Sequence, residues 1–151
     1  DTPANLRTAF AEFGGDVPAL LARVEQVRLW GLYGHPPLQT WSCGHVALLG
    51  DAVHPMFPFM AQGACMALED AFVLARVLND TDNIRLAFAG YETTRKQRAT
   101  SVQQLAARNG KVFHLSNPAI RTATHESLRL SAKIAPHKLE NRFDWIYKHK
   151  V

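Results

Sequence analysis

The sequence predicts that this chain is a mainly α-helical part, with a few short strands, of a larger protein with an α/β fold. We call the fold of that larger protein the parent fold. Helical patterns are long over residues 61–79 and 83–113, whereas only residues 45–51, HVALLGD, are apolar enough for a buried strand. Such strands are typical of parallel sheets, which helices cover on both faces. Because one strand cannot form a sheet, we expect its neighbours to come from another polypeptide segment.

Local signals define the elements that precede this strand. Apolar spacing predicts a helix over residues 3–13, which Gly14 and Gly15 end, and a second helix from Pro18 to residue 27. Strand-forming residues and a turn follow, at residues 28–33 and 41–44 respectively. The predicted strand cannot continue through Pro36 and Pro37.

The elements after residue 51 are helical. The patterns predict helices over residues 61–79, 83–113 and 117–134, of which Pro136 ends the last, followed by an aromatic tail at residues 142–150. In the first helix, Gln62, Glu69 and Arg76 recur every seven residues beside Asp70, among mostly apolar neighbours. We therefore expect that helix to be buried apart from one polar stripe.

The second long helix carries an inner line of apolar residues that two arginines interrupt. The apolar members of this line are Phe88, Tyr91, Val102, Leu105 and Val112. Arg95 and Arg98 lie at the same spacing, and we expect them to meet Glu69 or Asp70 across the helix pair. Their predicted role is mainly structural.

Composition describes a globular protein of about one domain, with 151 residues of which 47% are hydrophobic and 20% charged. No apolar run approaches the roughly 20 residues that cross a bilayer, and no cationic leader opens the chain, so we expect a cytoplasmic protein without a membrane span. Two cysteines, Cys43 and Cys65, form no disulfide framework or metal site, and we expect Cys65 to be buried.

The charge is asymmetric along the chain. Residues 81–151 hold thirteen Lys and Arg against five Asp and Glu, whereas residues 1–80 hold four against eight. The cations are spread along helical patterns without a nucleic-acid-binding motif, which favours a solvated face or an acidic partner surface over nucleic acid. Binding to nucleic acid stays an alternative that the salt dependence of DNA binding would test.

Residues 48–71, LLGDAVHPMFPFMAQGACMALEDA, carry the chemical signals. Asp51 ends the apolar strand, where carboxylates accept hydrogen bonds from sugar hydroxyls in α/β proteins. Small residues at Ala61, Gly63 and Ala64 open the following helix, whose N–H groups suit an anion or an electron-rich carbonyl. These features indicate a nucleotide-like cofactor, and an ordinary strand-turn-helix with a capping Asp is the open alternative.

The same stretch resembles a known motif. Its parts are Gly50-Asp51-Ala52-Val53-His54-Pro55, Pro58, Ala61-Gln62-Gly63 and Ala67-Leu68-Glu69-Asp70-Ala71. They resemble the second flavin-binding motif of the FAD-dependent aromatic hydroxylases, in the salicylate hydroxylase-like branch, over roughly residues 25–115. The resemblance implies a Rossmann-like, FAD/NAD(P)-binding fold of the p-hydroxybenzoate hydroxylase type. It also implies hydroxylation of a phenolic or heteroaromatic acid with FAD as cofactor, NAD(P)H as co-substrate and dioxygen.

The resemblance assigns roles residue by residue. The cofactor-binding residues that it implies are Gly50, Asp51, Pro58, Gln62, Gly63 and Ala64. Asp51 would bind the ribityl or ribose region, Pro58 would lie beside the flavin ring and the substrate, and the N–H groups at residues 62–64 would face the pyrimidine edge. The family commonly has Gly where Ala61 stands here. No metal ligand is implied.

Two catalytic candidates come with the motif, Pro58 and His54. His54 is a candidate general base for a phenolic proton, and the alternative is that it packs or hydrogen-bonds within the turn. Two groups of residues could either line a substrate pocket or pack in the core. They are Phe57, Phe59 and Met60 in one group, and Trp30 and Tyr33 in the other.

A flavin hydroxylase of this type should also contain GxGxxG for the ADP half of FAD, and the motif does not occur in these residues. We therefore expect a C-terminal fragment that is inactive without an N-terminal FAD-binding segment, with a homodimer as a possible assembly. The predicted regions are residues 1–40 from the substrate domain, 41–80 as the FAD-binding strand-loop-helix, and 81–151 as C-terminal helices and tail. The alternative function is a non-catalytic helical binding or assembly module.

Overall fold

The computed structural model describes all 151 residues, and the chain divides into two compact units, Asp1–Leu32 and Tyr33–Val151. The first unit contains helices α1 (Pro3–Ala9) and α2 (Val17–Ala22). Both helices are shorter than predicted, because short helices without buried residues gain little from packing and end early. Arg7 links them, since its guanidinium donates to the carbonyl oxygens of Leu21, Ala22 and Val24.

The predicted strand at residues 28–33 is wrong. The backbone there makes no strand pairing, and the side chains of Leu29 and Trp30 are 81% and 76% exposed. A strand requires a hydrogen-bonded neighbour, and no such neighbour is present in the chain.

The predicted strand at residues 45–51 is much shorter in the structure and pairs differently. Strand β1 (Ser42–Cys43) pairs antiparallel with β2 (Val46–Ala47) around Gly44, whose φ is +60°. Val46 is 66% exposed, so the prediction that this strand is buried on both faces is wrong for this chain. The chain leaves the hairpin through a hydrogen bond from Leu48 N to Trp41 O and turns at Gly50.

Helices α3 (Gly63–Asp80) and α4 (Ile84–Phe113) form a helical hairpin that carries most of the second unit. Asn83 begins α4, because its side chain accepts the N–H groups of Arg85 and Leu86. The buried residues form two clusters: Trp41, Val53, Val73, Tyr91 and Ala99 in one, and Met60, Met66, Val102, Ala106 and Ile146 in the other. The inner line predicted for α4 is present except at its end, where Val112 is 39% exposed.

The burial predicted for α3 is wrong in part, since the buried face combines Met66 and Val73 with a member of the polar stripe. Asp70 is 0% exposed and Gln62 is buried, whereas Leu68 and Phe72 are 71% and 56% exposed. Asp70 and Glu69 face inward because two arginines on α4 and a histidine provide partners for their carboxylates, whereas Arg76 of the same stripe is exposed. Cys65 is exposed, so its predicted burial is wrong as well.

The chain ends in three helices. Asn117 caps α5 (Pro118–Ile134), and α5 ends before Pro136, as predicted. Pro136 also starts a short helix that was not predicted, α6 (Pro136–Glu140). The aromatic tail forms a 3₁₀ turn and α7 (Asp144–Tyr147), which buries Ile146 against the second cluster. None of the helices is both long enough and apolar enough to pass through a bilayer.

Candidate functional site

The site is built on a turn at Gly50–Ala52. Gly50 has a φ of +59° and accepts the N–H groups of Val53 and His54 at 3.0 and 2.9 Å. A Cβ atom at Gly50 would lie 3.0 Å from the Cβ of Ala67 on α3, so both the backbone conformation and the close approach require glycine. Asp51, the next residue, is exposed at the tip of the turn.

The Asp51 carboxylate lies beside the first residue of α3. A Cβ atom built on Gly63 would lie 3.7 Å from Asp51 Oδ1. Gln62 makes no side-chain capping hydrogen bond, and the first turn of α3 carries no acidic residue. The first intrahelical donor is Met66 N, so the N–H groups of residues 63–65 are free for a ligand.

These features fit a group that combines hydroxyl donors with an electron-rich carbonyl edge. Asp51 can accept hydrogen bonds from hydroxyls, and the amino end of an 18-residue helix can donate to the carbonyl edge. Gly63 carries no side chain and Ala64 only a methyl group, so the backbone there is open to close approach.

Pro58 lies on a second turn, Pro58–Met60, which precedes α3. Ala61 ends this turn in the left-handed region, with a φ of +52°, and its N–H donates to Pro58 O at 3.1 Å. Pro58 is exposed, whereas Met60 is buried and receives a contact from Asn109 on α4. The turn is therefore anchored in the core and presents its proline outward.

The aromatic residues beside Pro58 pack against α4. The ring centroid of Phe59 lies 5.9 Å from that of Phe113 and 6.2 Å from that of Phe57. Both Phe57 and Phe59 are half-buried. A Cβ atom on Gly110 would approach Phe59 to 2.6 Å, so this glycine provides the space for the ring. Met60 takes the packing role, since it belongs to the buried cluster around Met66.

His54 is buried rather than exposed to a substrate. It is 1% exposed, its Nε2 lies 2.5 Å from Asp70 Oδ2, and its ring contacts Trp41 at a centroid distance of 5.6 Å. Its Nδ1 has no hydrogen-bond partner. This environment favours the role of His54 as a residue that packs and hydrogen-bonds within the turn over the role of a general base.

A cluster of ion pairs lies behind the turn. Arg95 donates from Nε to Asp70 Oδ1 at 2.8 Å and from Nη1 to Glu69 Oε2 at 2.5 Å, while Arg98 binds both Glu69 oxygens at 2.8 Å. These contacts confirm the prediction that the two arginines meet Glu69 or Asp70, since Arg95 binds both and Arg98 binds Glu69.

The cluster sets the ionisation of its carboxyl groups. Burial alone would raise the pKa of Glu69 and of Asp70, but hydrogen bonds and nearby positive charge outweigh that effect and lower both pKa values. The donors are Arg98 and Arg95 for Glu69, and His54, Arg95 and the Gly50 N–H for Asp70. Both carboxylates are therefore held in their charged form.

Other residues support the site without having been predicted. Gln103 Nε2 donates to the carbonyl oxygens of His35 and Pro55, each at 3.2 Å, and Tyr91 OH donates to Leu48 O at 3.2 Å. Gln103 lies on the buried face of α4, two turns after Arg95. A polar residue at a buried position of the helix was the sequence signal that could have identified it. The remaining candidates, Trp30 and Tyr33, are 76% and 87% exposed.

Comparisons with known proteins agree with this geometry. The FAD binding domain family matches residues 4–106. The chain is 46% identical over 106 residues to 6-hydroxynicotinate 3-monooxygenase from Pseudomonas fluorescens, covering 69% of the chain and 28% of the relative. It is 34% identical over 147 residues to salicylate hydroxylase from Pseudomonas putida, covering 95% and 32%.

Solved structures give the same picture. A salicylate hydroxylase substrate complex matches with a TM-score of 0.79 and 30% identity, over 99% of this chain and 36% of that one. Klebsiella pneumoniae HpxO complexed with FAD and uric acid matches with a TM-score of 0.76 and 31% identity, over 84% and 33%. These matches confirm the predicted α/β parent fold, and the chain spans about a third of the length of these proteins.

Proposed function

The chain belongs to the FAD binding domain family, and on this premise we propose that it supplies the flavin-facing part of an FAD-dependent aromatic monooxygenase. The observation that carries the proposal is the meeting of Asp51 with the uncapped amino end of α3 at Gly63. An acceptor for hydroxyls and a set of free N–H donors stand side by side there, which suits the ribityl chain and the carbonyl edge of a flavin.

The residues of this chain would bind and orient the cofactor. Asp51 would accept hydrogen bonds from the ribityl or ribose hydroxyls, and the N–H groups of Gly63 and Ala64 would donate to the pyrimidine edge. The positive end of the helix dipole would stabilise negative charge on the reduced ring. FAD, when bound, supplies the electron transfer and the activation of dioxygen.

Pro58 is the residue that we place nearest the reaction. Pro58 is exposed, and its turn is held in place because Ala61 N–H closes it and Met60 anchors it in the core. In this proposal, Pro58 borders the flavin and the aromatic substrate and helps to exclude water from them. His54 is proposed as a structural residue of the turn, since Asp70 occupies its Nε2.

The names of the relatives support a proposed substrate class. The named relatives include 6-hydroxynicotinate 3-monooxygenase and salicylate hydroxylase, which supports a phenolic or heteroaromatic acid as the substrate here. We further propose NAD(P)H as the reductant. A second candidate function, a helical binding module, draws support from α5, which has no buried residue.

The first experiment measures FAD binding by the full-length polypeptide that carries these residues. We expect the wild-type protein to bind FAD, and Asp51→Asn to weaken binding by about tenfold or more, as loss of a charge-assisted hydrogen bond does. Asp80→Asn, an exposed acid at the far end of α3, is the matched control and should leave the affinity within about twofold. FAD binding that is absent in the wild type, or equal in Asp51→Asn, would refute the proposed site.

A second experiment tests the activity. Salicylate and 6-hydroxynicotinate are added with NADH or NADPH, and the products are analysed by mass spectrometry for a gained oxygen atom. Hydroxylated product that depends on FAD supports the enzyme. Protein that binds FAD but produces hydrogen peroxide alone with each of a panel of aromatic acids would contradict the proposed substrate class.

A further inference from the structure

Asp70 is the only carboxylate of the cluster that touches the backbone of the Gly50 turn. It is 0% exposed and receives three donors. Gly50 N donates to Oδ2 at 3.1 Å, His54 Nε2 lies 2.5 Å from the same oxygen, and Arg95 Nε donates to Oδ1 at 2.8 Å. A single buried side chain therefore joins α3, α4 and the turn that presents Asp51.

The position of Asp70 is itself fixed from outside the turn. Arg95 also binds Glu69, and Arg98 binds both oxygens of Glu69. Arg98 further donates to the carbonyl oxygens of Trp145 and Ile146 at 2.7 and 3.0 Å. Because these groups are largely buried and mutually bonded, Asp70 has little freedom to shift.

We propose that Asp70 is a positioning residue for the flavin, because its carboxylate holds the Gly50–Ala52 turn and so sets where Asp51 stands relative to Gly63. This inference rests on the proposed function. Asp51 is exposed, whereas the preceding residue, Gly50, is buried and bonded to Asp70. The placement of Asp51 is thus decided through the backbone, one residue away from the buried carboxylate.

The contact pattern explains why a neutral isostere should fail. All three partners of Asp70 point a donor at it, so the site needs two acceptor oxygens. An amide at this position would turn its NH₂ group either toward Arg95 or toward Gly50 N. One donor would then face another, and the positive charge of Arg95 would lose its nearest compensation.

The test compares Asp70→Asn with Asp144→Asn in the full-length polypeptide. Asp144 forms an exposed ion pair with Lys148 at 2.8 Å, so it controls for the chemical change without touching the turn. The measurements are the FAD dissociation constant, the visible absorption spectrum of bound FAD, and the urea midpoint. We expect Asp70→Asn to weaken FAD binding about tenfold or more and to shift the spectrum, with Asp144→Asn within about twofold.

A merely structural role predicts a different result. If Asp70→Asn lowers the urea midpoint but leaves the dissociation constant and spectrum of bound FAD unchanged under folding conditions, the positioning role is overturned. Should Asp70→Asn not fold, His54→Phe replaces it, since Phe keeps a ring against Trp41 but removes one donor from Asp70. We expect FAD binding about threefold to tenfold weaker in that variant, and unchanged binding and spectrum would overturn the proposal.

Hydrogen exchange at the Gly50 amide separates this inference from the proposed function, because it needs no flavin. We expect exchange at Gly50 to be at least about tenfold faster in Asp70→Asn than in Asp144→Asn. Wild-type protein that binds no FAD would refute the proposed function. An unchanged Gly50 exchange rate would instead refute the hold of Asp70 on the turn, whatever the flavin result.

Discussion

Replacing Arg95 with Met tests the energetic role of the buried ion pairs. Arg95 is 1% exposed and joins Asp70 to Glu69, and Met fills a similar volume without donors. The substitution leaves a fully buried Asp70 carboxylate with His54 and Gly50 N as its remaining donors. The buried Asp70 carboxylate therefore loses its guanidinium partner and keeps only part of its compensation.

The expected magnitude follows from this burial. Removing one partner of a buried pair costs about 3–5 kcal/mol. A domain of this size has about 5–15 kcal/mol of total stability, so Arg95→Met should be severely destabilised, and it should be studied beside the milder Arg95→Lys. The control is Lys148→Met, because Lys148 is 72% exposed in its ion pair with Asp144 and should lose less than about 1 kcal/mol.

The assay is urea unfolding at pH 7, followed by far-UV circular dichroism. Equal slopes of the transitions are required before midpoints are compared, since a changed slope reports a change in the surface exposed on unfolding. A loss below about 1 kcal/mol for Arg95→Met, equal to that of the Lys148→Met control, would refute the reasoning. That result would mean that the ion pairs around Asp70 are exchanged for water at little cost.

Two further predictions concern pH and packing. The pKa values of Glu69 and Asp70 are lowered in the folded protein, so the unfolded chain binds more protons than the folded one in the acid range. The stability that these carboxylates contribute at neutral pH should therefore be lost as pH falls below about 4. Urea midpoints between pH 7 and pH 3 measure this, and a smaller acid loss in Glu69→Gln is expected, whereas an equal loss would contradict it. Gly110→Ala should destabilise the protein by about 1–2 kcal/mol in the same assay, because the new methyl group would lie 2.6 Å from Phe59 and this clash outweighs the gain of up to about 1 kcal/mol from alanine in a helix. Unchanged stability would show that the ring moves aside freely.

The boundaries of the three longest helices, α3, α4 and α5, were the most predictable features of this chain. Asn83 and Asn117 each cap a helix with their own side chains, and Pro136 separates α5 from α6. These signals act within one helical turn, so they are readable without knowledge of the fold. The predicted strand at residues 28–33 failed for the opposite reason, because strand formation depends on a partner that local sequence does not specify.

The candidate site was predictable in part. The motif around Gly50 and Asp51 was readable, and the close approach of Gly50 to Ala67 explains its glycine. The contacts of Gln103 with two loop carbonyls were not predicted, because its partners lie 48 and 68 residues away in the chain. Such partners are set by how the loops pack on α4.

The sequence by itself determined where the three longest helices, α3, α4 and α5, begin and end, which residues form the motif, and that Arg95 and Arg98 would meet acidic residues of α3. Only the tertiary structure decided which face of α3 is buried. Apolar spacing predicted the polar stripe outside, yet Asp70 lies inside because Arg95, His54 and Gly50 N compensate its charge there. Periodicity identifies the faces of a helix, whereas the partners that each face meets decide which one is buried.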